Sequence, residues 1–292
     1  MRVTMQKENK RLIIVDGNAH VCRAYFAIRM LTDAFGRPCN AVFGFVKILL
    51  HILEAYTPTH IIVFFDSYSK WRKEIYPDYK SNRKKEGLED LHTQLPIALE
   101  LSQQLGFYTM RVEGYESDDL IASAVDKAKQ EQIETLIFTS DKDMCQLVTD
   151  DGLVKMLRPG YKGISILDRQ GVIDKYGVTP EHMRFYLALV GDTSDNIPGV
   201  KGFGEKTVVK LLNELRPGDN ILNVAERILS PKMYTKLQEQ QHIFRVSLAL
   251  ADLNATERVA MPEIDELEFT KFGPNAREYV QSLGFQSLLS RI

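Results

Sequence analysis

The residues of this chain best placed to do chemistry are nine carboxylates. They fall in five short clusters: Asp16; Asp66; Glu116, Asp118 and Asp119; Asp141 and Asp143; and Asp192 and Asp195. That many like charges share one crevice in ionised form only if cations hold them. Ligation rich in carboxylate and poor in His and Cys suits hard ions, which favours two or more Mg²⁺, with Mn²⁺ as a substitute, over zinc. Two such ions about 4 Å apart can activate water and stabilise the leaving oxygen of a phosphodiester. Only some of the nine acids need touch metal; the others act through water. Taken singly, the clusters have plainer readings. Glu116, Asp118 and Asp119 describe a helix amino terminus equally well, Asp141 an N-cap, and Asp16 and Asp66 turns after strands. The six histidines show no ligand spacing and read as structural. Ser117, Ser140 and Ser194 lie beside acids, but no His is placed to make one a nucleophile.

The elements ahead of the acids aim them at one place. Leu12-Ile13-Ile14-Val15 stops at Asp16, and Ile61-Ile62-Val63-Phe64-Phe65 stops at Asp66. Thr135-Leu136-Ile137-Phe138 leads to Asp141 and Asp143. Short apolar runs ended by polar turn formers read as buried parallel strands. In open α/β sheets, chemistry gathers beyond the carboxyl ends of the strands. Helical spacing runs from about Ala41 to Tyr56 and from Leu91 to Leu105, where Gly106 closes it. A further strand is expected from Leu153 to Leu157. The alternation predicts an α/β class with a mostly parallel central sheet flanked by helices.

From about Pro180 the pattern is helical. Helices are expected from His182 to Val190, Glu205 to Leu215, Asn220 to Leu229 and Lys232 to Ala251, with a turn-rich break from Gly191 to Gly199. This divides the chain into an α/β core, residues 1–179, and a helical region, residues 180–292, that packs against the sheet.

Two further segments suit a nucleic-acid partner. Residues 70–85 hold seven basic residues against two acids, interleaved with Trp71, Tyr76 and Tyr79. Cations that take phosphates beside rings that stack on bases make a single-strand surface. A solvated helical face has the same composition. The run follows Asp66 directly, which favours a phosphate-gripping segment at the mouth of the site. Between two expected helices lies Gly199-Val200-Lys201-Gly202-Phe203-Gly204-Glu205-Lys206-Thr207. It fails as a P-loop because Glu205 stands where Lys is required. Its main-chain N–H groups could still meet a phosphate at a helix start, with Lys201 and Lys206 adding charge, or it is simply a tight turn needing positive φ.

Composition leaves these readings open. The net charge of −2 hides a division: setting aside the nine clustered acids leaves 37 basic residues against 39 − 9 = 30 acidic ones. The rest of the surface is therefore mildly basic and compatible with an anionic partner. Cys22, Cys39 and Cys145 form no CxxC pair, which argues against a disulfide framework and suits a reducing cytoplasm. No stretch approaches the roughly 20 apolar residues of a membrane span, and the amino-terminal apolar run is too short for a signal peptide.

Together the motifs resemble the 5′ nuclease domain of bacterial DNA polymerase I and, more broadly, phage and cellular flap endonucleases. The matching segments are Val15-Asp16-Gly17, Phe65-Asp66, Tyr76-Pro77-Asp78-Tyr79-Lys80-Ser81-Asn82-Arg83 and Gly114-Tyr115-Glu116-Ser117-Asp118-Asp119. They continue with Asp141-Lys142-Asp143, the run from Gly191 to Val200, and Gly202-Phe203-Gly204-Glu205-Lys206-Thr207, down to Leu283-Gly284-Phe285. The resemblance implies a PIN-like sheet, a helical arch at about 70–90 and a C-terminal helix-hairpin-helix region that binds duplex DNA. It implies a Mg²⁺-dependent phosphodiesterase acting at 5′ ends, flaps and nicks in primer removal and repair, with RNA primers as further substrates. A cytoplasmic monomer follows from the same likeness.

Carried over by position, all nine acids become metal-binding residues. Lys80 and Arg83 become catalytic contacts to the scissile phosphate, and Tyr79 stacks on a base. Arg72, Lys84, Lys85, Lys201, Gly202, Gly204 and Lys206 join the DNA contacts, and a potassium ion sits at the hairpin. Some residues depart from the pattern. The loop from Asp66 to Arg72 is one residue shorter than usual, Trp71 replaces Phe, and Lys84-Lys85-Glu86-Gly87 stands where a Pro-rich stretch is common. The chain reads as a free-standing nuclease or as one domain of a polymerase. A PIN-type ribonuclease and a non-catalytic DNA-binding protein are the rival readings.

Overall fold

The computed structural model describes residues 10–33, 35–83, 86–160, 163–253 and 258–292. Lys84 and Lys85, expected among the DNA contacts, lie outside the described residues. The first half alternates strand and helix: β1 (Arg11–Asp16), α1 (Gly17–Ala27), α2 (Asn40–Tyr56), β2 (His60–Phe64), α3 (Lys70–Ile75), α4 (Glu89–Gln104), β3 (Tyr108–Met110), α5 (Ser117–Gln130) and β4 (Glu134–Phe138). Then come β5 (Val154–Gly160), β6 (Gly163–Leu167) and α6 (Arg169–Tyr176). The remainder is helical: α7 (Met183–Val190), α8 (Glu205–Leu212), α9 (Ile221–Ile228), α10 (Pro231–Glu239), α11 (Gln241–Ala251) and α12 (Ala276–Ser282).

The six strands form one sheet in the order β3-β2-β1-β4-β5-β6, with only the β5–β6 pair antiparallel. Two-residue alternation assigns each strand's side chains to opposite faces. Leu12, Ile14, Ile62, Phe64 and Ile137 join one core with α5 and the helices after residue 180. Ile13, Val15, Ile61, Val63 and Phe138 join the other, under α2, α4 and α12. Burial on both faces explains why these strands read as continuous apolar runs. The first core includes Leu120 together with Leu187, Leu211 and Phe244, so the helical region and the sheet share packing.

Two strands were not expected, and one expected helix needs adjusting. Strand β3 has no apolar run to announce it, since its three residues are only partly covered. Strand β6 is an edge strand with three of its five residues exposed. The single helix expected from Lys232 to Ala251 is two helices, α10 and α11, broken at Gln240. That side chain accepts a hydrogen bond from Lys201 N–H (2.8 Å) and donates one to the Lys201 carbonyl (3.2 Å). A tertiary contact to the Gly-rich turn thus coincides with the break.

Candidate active site

Strand β1 lies between β2 and β4, so the chain departs in opposite directions on its two sides, and the carboxyl edge of the sheet opens there. Asp16 ends β1 and caps α1 by accepting from Ala19 N–H at 3.1 Å. The tight passage into α1 needs glycine next: a Cβ on Gly17 would lie 2.7 Å from the Phe64 carbonyl oxygen. The other oxygen of Asp16 accepts from the Thr139 hydroxyl at 2.8 Å, which joins the ends of β1 and β4. Asp66, beyond β2, accepts from Ser117 N–H at 2.8 Å, which joins it to the start of α5. Asp141 accepts from Asp143 N–H at 2.9 Å.

Asp192 organises the loop after α7. One oxygen accepts from the N–H (2.7 Å) and the hydroxyl (2.5 Å) of Ser194. The loop closes through paired main-chain bonds between Asp192 and Ile197. Gly191 and Gly199 clamp its ends, both with positive φ and both within 2.7 Å of opposing backbone if given a Cβ.

Four of the nine acids are matched by the chain's own cations. Arg72 is bidentate to Asp119, at 2.8 and 2.6 Å, and lies 3.1 Å from Glu116. Lys80 lies 2.9 Å from Glu116 and 3.5 Å from Asp195. Arg83 reaches Asp195 at 2.6 Å and Lys142 reaches Asp192 at 3.0 Å. Among the described residues the other five acids, Asp16, Asp66, Asp118, Asp141 and Asp143, have no such partner.

Their electrostatics follow. Burial, then the neighbouring Asp66 charge, pushes Asp16 up to about 7. Burial, then Asp141, holds Asp118 and Asp143 well above the usual carboxylate range, and burial raises Asp141. Asp192 shows the contrast: despite burial, its bonds from Ser194 and Lys142 hold it below its ordinary value. One oxygen of Asp143 is buried with no hydrogen-bond donor. As the side chains lie, no three His, Cys, Asp or Glu groups among the described residues are spaced to hold an ion. Lys80 and Arg83, reaching in from the arch, satisfy part of the charge that an ion would otherwise meet.

The arch segment corrects two expectations. Arg72 does not face DNA; it is 1 % exposed, with its guanidinium 4.3 Å from the Trp71 ring centre, and ties α3 to the first turn of α5. Tyr79 is 3 % exposed and donates from its hydroxyl to Glu116 (2.9 Å) and Asp195 (3.0 Å), so its ring is not offered to a base. Asp119 is fully buried and closes a capping box with Glu116, so the helix-terminus reading describes that pair well. Asp118, between them, is free of both duties.

Turns carry the chain from α3 to Asn82, docked on the loop after α7. Lys80 N–H donates to the Asp195 carbonyl at 2.9 Å, Asn82 to the Thr193 carbonyl at 2.5 Å, and Asn196 to the Asp78 carbonyl at 2.6 Å. Lys80 and Asn196 both adopt positive φ here, a region that disfavours lysine. The sequence reading missed Thr139, Lys142 and Asn196 as parts of the site. Lys142, between two acids, was the one with a visible signal.

At the hairpin, Lys201, Gly202, Gly204 and Lys206 are all exposed. Gly202 has positive φ, and Gly204 caps α8.

Acids at the carboxyl edge of a parallel sheet, followed by a packed helical module, define an α/β nuclease scaffold. The family model for the 5′-3′ exonuclease N-terminal resolvase-like domain matches residues 11–177, and that for the 5′-3′ exonuclease C-terminal SAM fold matches residues 178–275. The chain belongs to the 5′-3′ exonuclease family, which includes flap endonucleases. DNA polymerase I of Bacillus subtilis (strain 168) is 36 % identical over 290 residues, covering 98 % of this chain and 32 % of the polymerase. The 5′-3′ exonuclease of Aquifex aeolicus (strain VF5) is 31 % identical over 289 residues, covering 97 % of this chain and 95 % of that protein. The chain thus spans about a third of the polymerase's length but nearly all of the exonuclease's. Among solved structures, T5 5′-exonuclease with bound zinc superposes with a TM-score of 0.68 at 22 % identity, covering 97 % of this chain and 96 % of that one. The catalytic core of Rad2 in complex with DNA substrate gives 0.56 at 16 %, covering 98 % and 93 %. These two likenesses concern the fold. No helix among the described residues is long and apolar enough to cross a membrane.

Proposed function

We propose that the chain hydrolyses DNA phosphodiesters at 5′ ends, flaps and nicks, with Mg²⁺ as its working ion and Mn²⁺ as a substitute. The observation that carries this reading is the group of five uncompensated acids at one sheet edge, with a buried Asp143 oxygen that has no donor. An all-oxygen donor set of carboxylates fits hard divalent ions. Asp16, Asp66, Asp118, Asp141 and Asp143 would hold them; Glu116, Asp119, Asp192 and Asp195 act through side chains and water. Once bound, divalent ions supply Lewis acidity, which activates water and stabilises the leaving oxygen.

The chain's own cations do the rest. Lys80 and Arg83 exchange their carboxylate partners for the scissile phosphate and offset the charge that grows on it. Arg72 stays in place and keeps Glu116 and α5 positioned. The exposed hairpin at Lys201 and Lys206 grips duplex phosphates, with a potassium ion at the same turn. RNA-initiated 5′ strands are cut at the same junction, as primer removal requires, and the enzyme works as a monomer.

The test is incision of a 3′-labelled flap duplex, with Mg²⁺ and again with chelator. Metal-dependent cuts at the flap junction are expected. Tight binding without any cutting would instead leave a DNA-binding scaffold, and cutting confined to RNA would favour the ribonuclease reading.

A further inference from the structure

Between the acid edge and the Gly-rich turn lies a cleft of about 360 Å³. It is lined by Lys142, beside the acids, by Lys175 and Tyr176 at the end of α6, and by Lys206 in the first turn of α8. One acid lines it, Glu205, which is hydrogen-bonded with Tyr186. Lys142 is matched by Asp192, but among the described residues neither Lys175 nor Lys206 has a carboxylate within 4.0 Å.

Lys175 sits at the carboxyl end of α6, where helix carbonyls favour a cation. Even so, burial and then the nearby Arg158 guanidinium push its pKa below the ordinary value. Arg158 donates to the Tyr176 hydroxyl oxygen at 3.0 Å, which leaves the phenol proton free to donate elsewhere. Two ammonium groups without a carboxylate partner among the described residues and a hydroxyl donor thus line one cavity, against the single carboxylate of Glu205.

We propose that this cleft is a phosphate subsite. It grips one backbone phosphodiester of the duplex strand that runs from the cutting site to the hairpin, through Lys175 and the Tyr176 hydroxyl, next to the hairpin cation Lys206. It deepens the nuclease reading above and rests on it. The subsite fixes the length of strand between the acids and the hairpin, and so helps set where the cut falls.

The test measures binding to the flap duplex under chelation across a salt series, with steady-state cutting in Mg²⁺ alongside. Lys175→Ala, Lys175→Arg and, as a remote control on α2, Lys47→Ala are compared with the parent protein. Losing one phosphate contact lowers the slope of log affinity against log salt by about 1. Lys175→Ala is expected to show that change, with KM raised roughly five- to tenfold, kcat nearly unchanged and cuts spread over neighbouring positions. Lys175→Arg should restore the slope, and Lys47→Ala should leave it alone. Inorganic phosphate, titrated against the metal-free protein, is expected to give no thermal shift that depends on Lys175. A Lys175-dependent shift combined with an unchanged salt slope would mean a free-phosphate site and overturn the strand assignment. A parent enzyme that cuts normally while Lys175→Ala keeps its slope and KM overturns the subsite alone. A parent protein that neither cuts nor binds the flap contradicts the nuclease reading itself.

Discussion

The two halves of the acid cluster are made of the same residue types and do different work. Glu116, Asp119, Asp192 and Asp195 face Arg72, Lys80, Arg83 and Lys142, and Asp192 titrates below its ordinary value. Asp16, Asp66, Asp118, Asp141 and Asp143 face mainly one another, and four of them are pushed upward. The first group is complete within the chain and holds the arch, α5 and the loop after α7 together. The second has its charge left for something outside the chain. Carboxylates at one sheet edge are therefore not interchangeable; what stands beside each decides its role.

Substitutions can break that division. The largest effect is expected from Asp118→Asn or Asp141→Asn, each of which removes an uncompensated acid. Flap incision should fall by more than the roughly 100-fold typical of groups that only support a metal ligand, while the metal-free fold keeps or gains thermal stability. A variant that cuts at the parent rate would contradict the division.

Next is Arg72→Ala, which strands the buried Asp119 carboxylate and takes from Glu116 one of its two cations. Chemical denaturation should show a loss of about 3–5 kcal/mol. Arg72→Lys should recover only part of it, because an ammonium cannot reproduce the bidentate fork. A loss of DNA affinity with unchanged stability would return Arg72 to the DNA contacts.

The pH dependence of stability sharpens the comparison. Asp16 has a folded-state pKa of about 7 against an ordinary value of 3.8. Between those values the folded protein binds the extra proton, so metal-free stability falls as pH rises through that window and levels off above about 7. Asp118, Asp141 and Asp143 act in the same direction. Divalent ions compete with those protons, so Mg²⁺ should raise Tm more at about pH 8 than at about pH 5. A gain that does not depend on pH would argue that the ion binds elsewhere.

The smallest effect is expected at the arch contact. Asn196→Ala removes two hydrogen bonds to the arch segment and places alanine at positive φ. About 1–2 kcal/mol of stability should be lost, read as a lower denaturation midpoint with unchanged slope.

Much of the sheet was legible because β1, β2 and β4 are buried on both faces and lead to acids. Strands β3 and β6 were not, since short or edge strands need no apolar run. The acids themselves were legible as a set. Their division was not, because it depends on Arg72 and Tyr79 folding inward from a stretch whose composition reads as solvent-facing. In Arg72, a positive charge in the sequence marks a buried clamp just as well as a phosphate contact, and only the position of Asp119 beneath it tells the two apart. Asn196 was invisible for the same reason: its partners, Asp78 and Ser81, are more than a hundred residues away.

The most direct measurement is calorimetric titration of Mn²⁺ into the parent protein, Asp118→Asn and Asp192→Asn, with flap incision measured on the same preparations. The account predicts that Asp118→Asn loses both ion binding and incision, whereas Asp192→Asn still binds the ion though its loop is loosened. Equal loss of ion binding in both variants, or undiminished binding in Asp118→Asn, would contradict the division of the cluster.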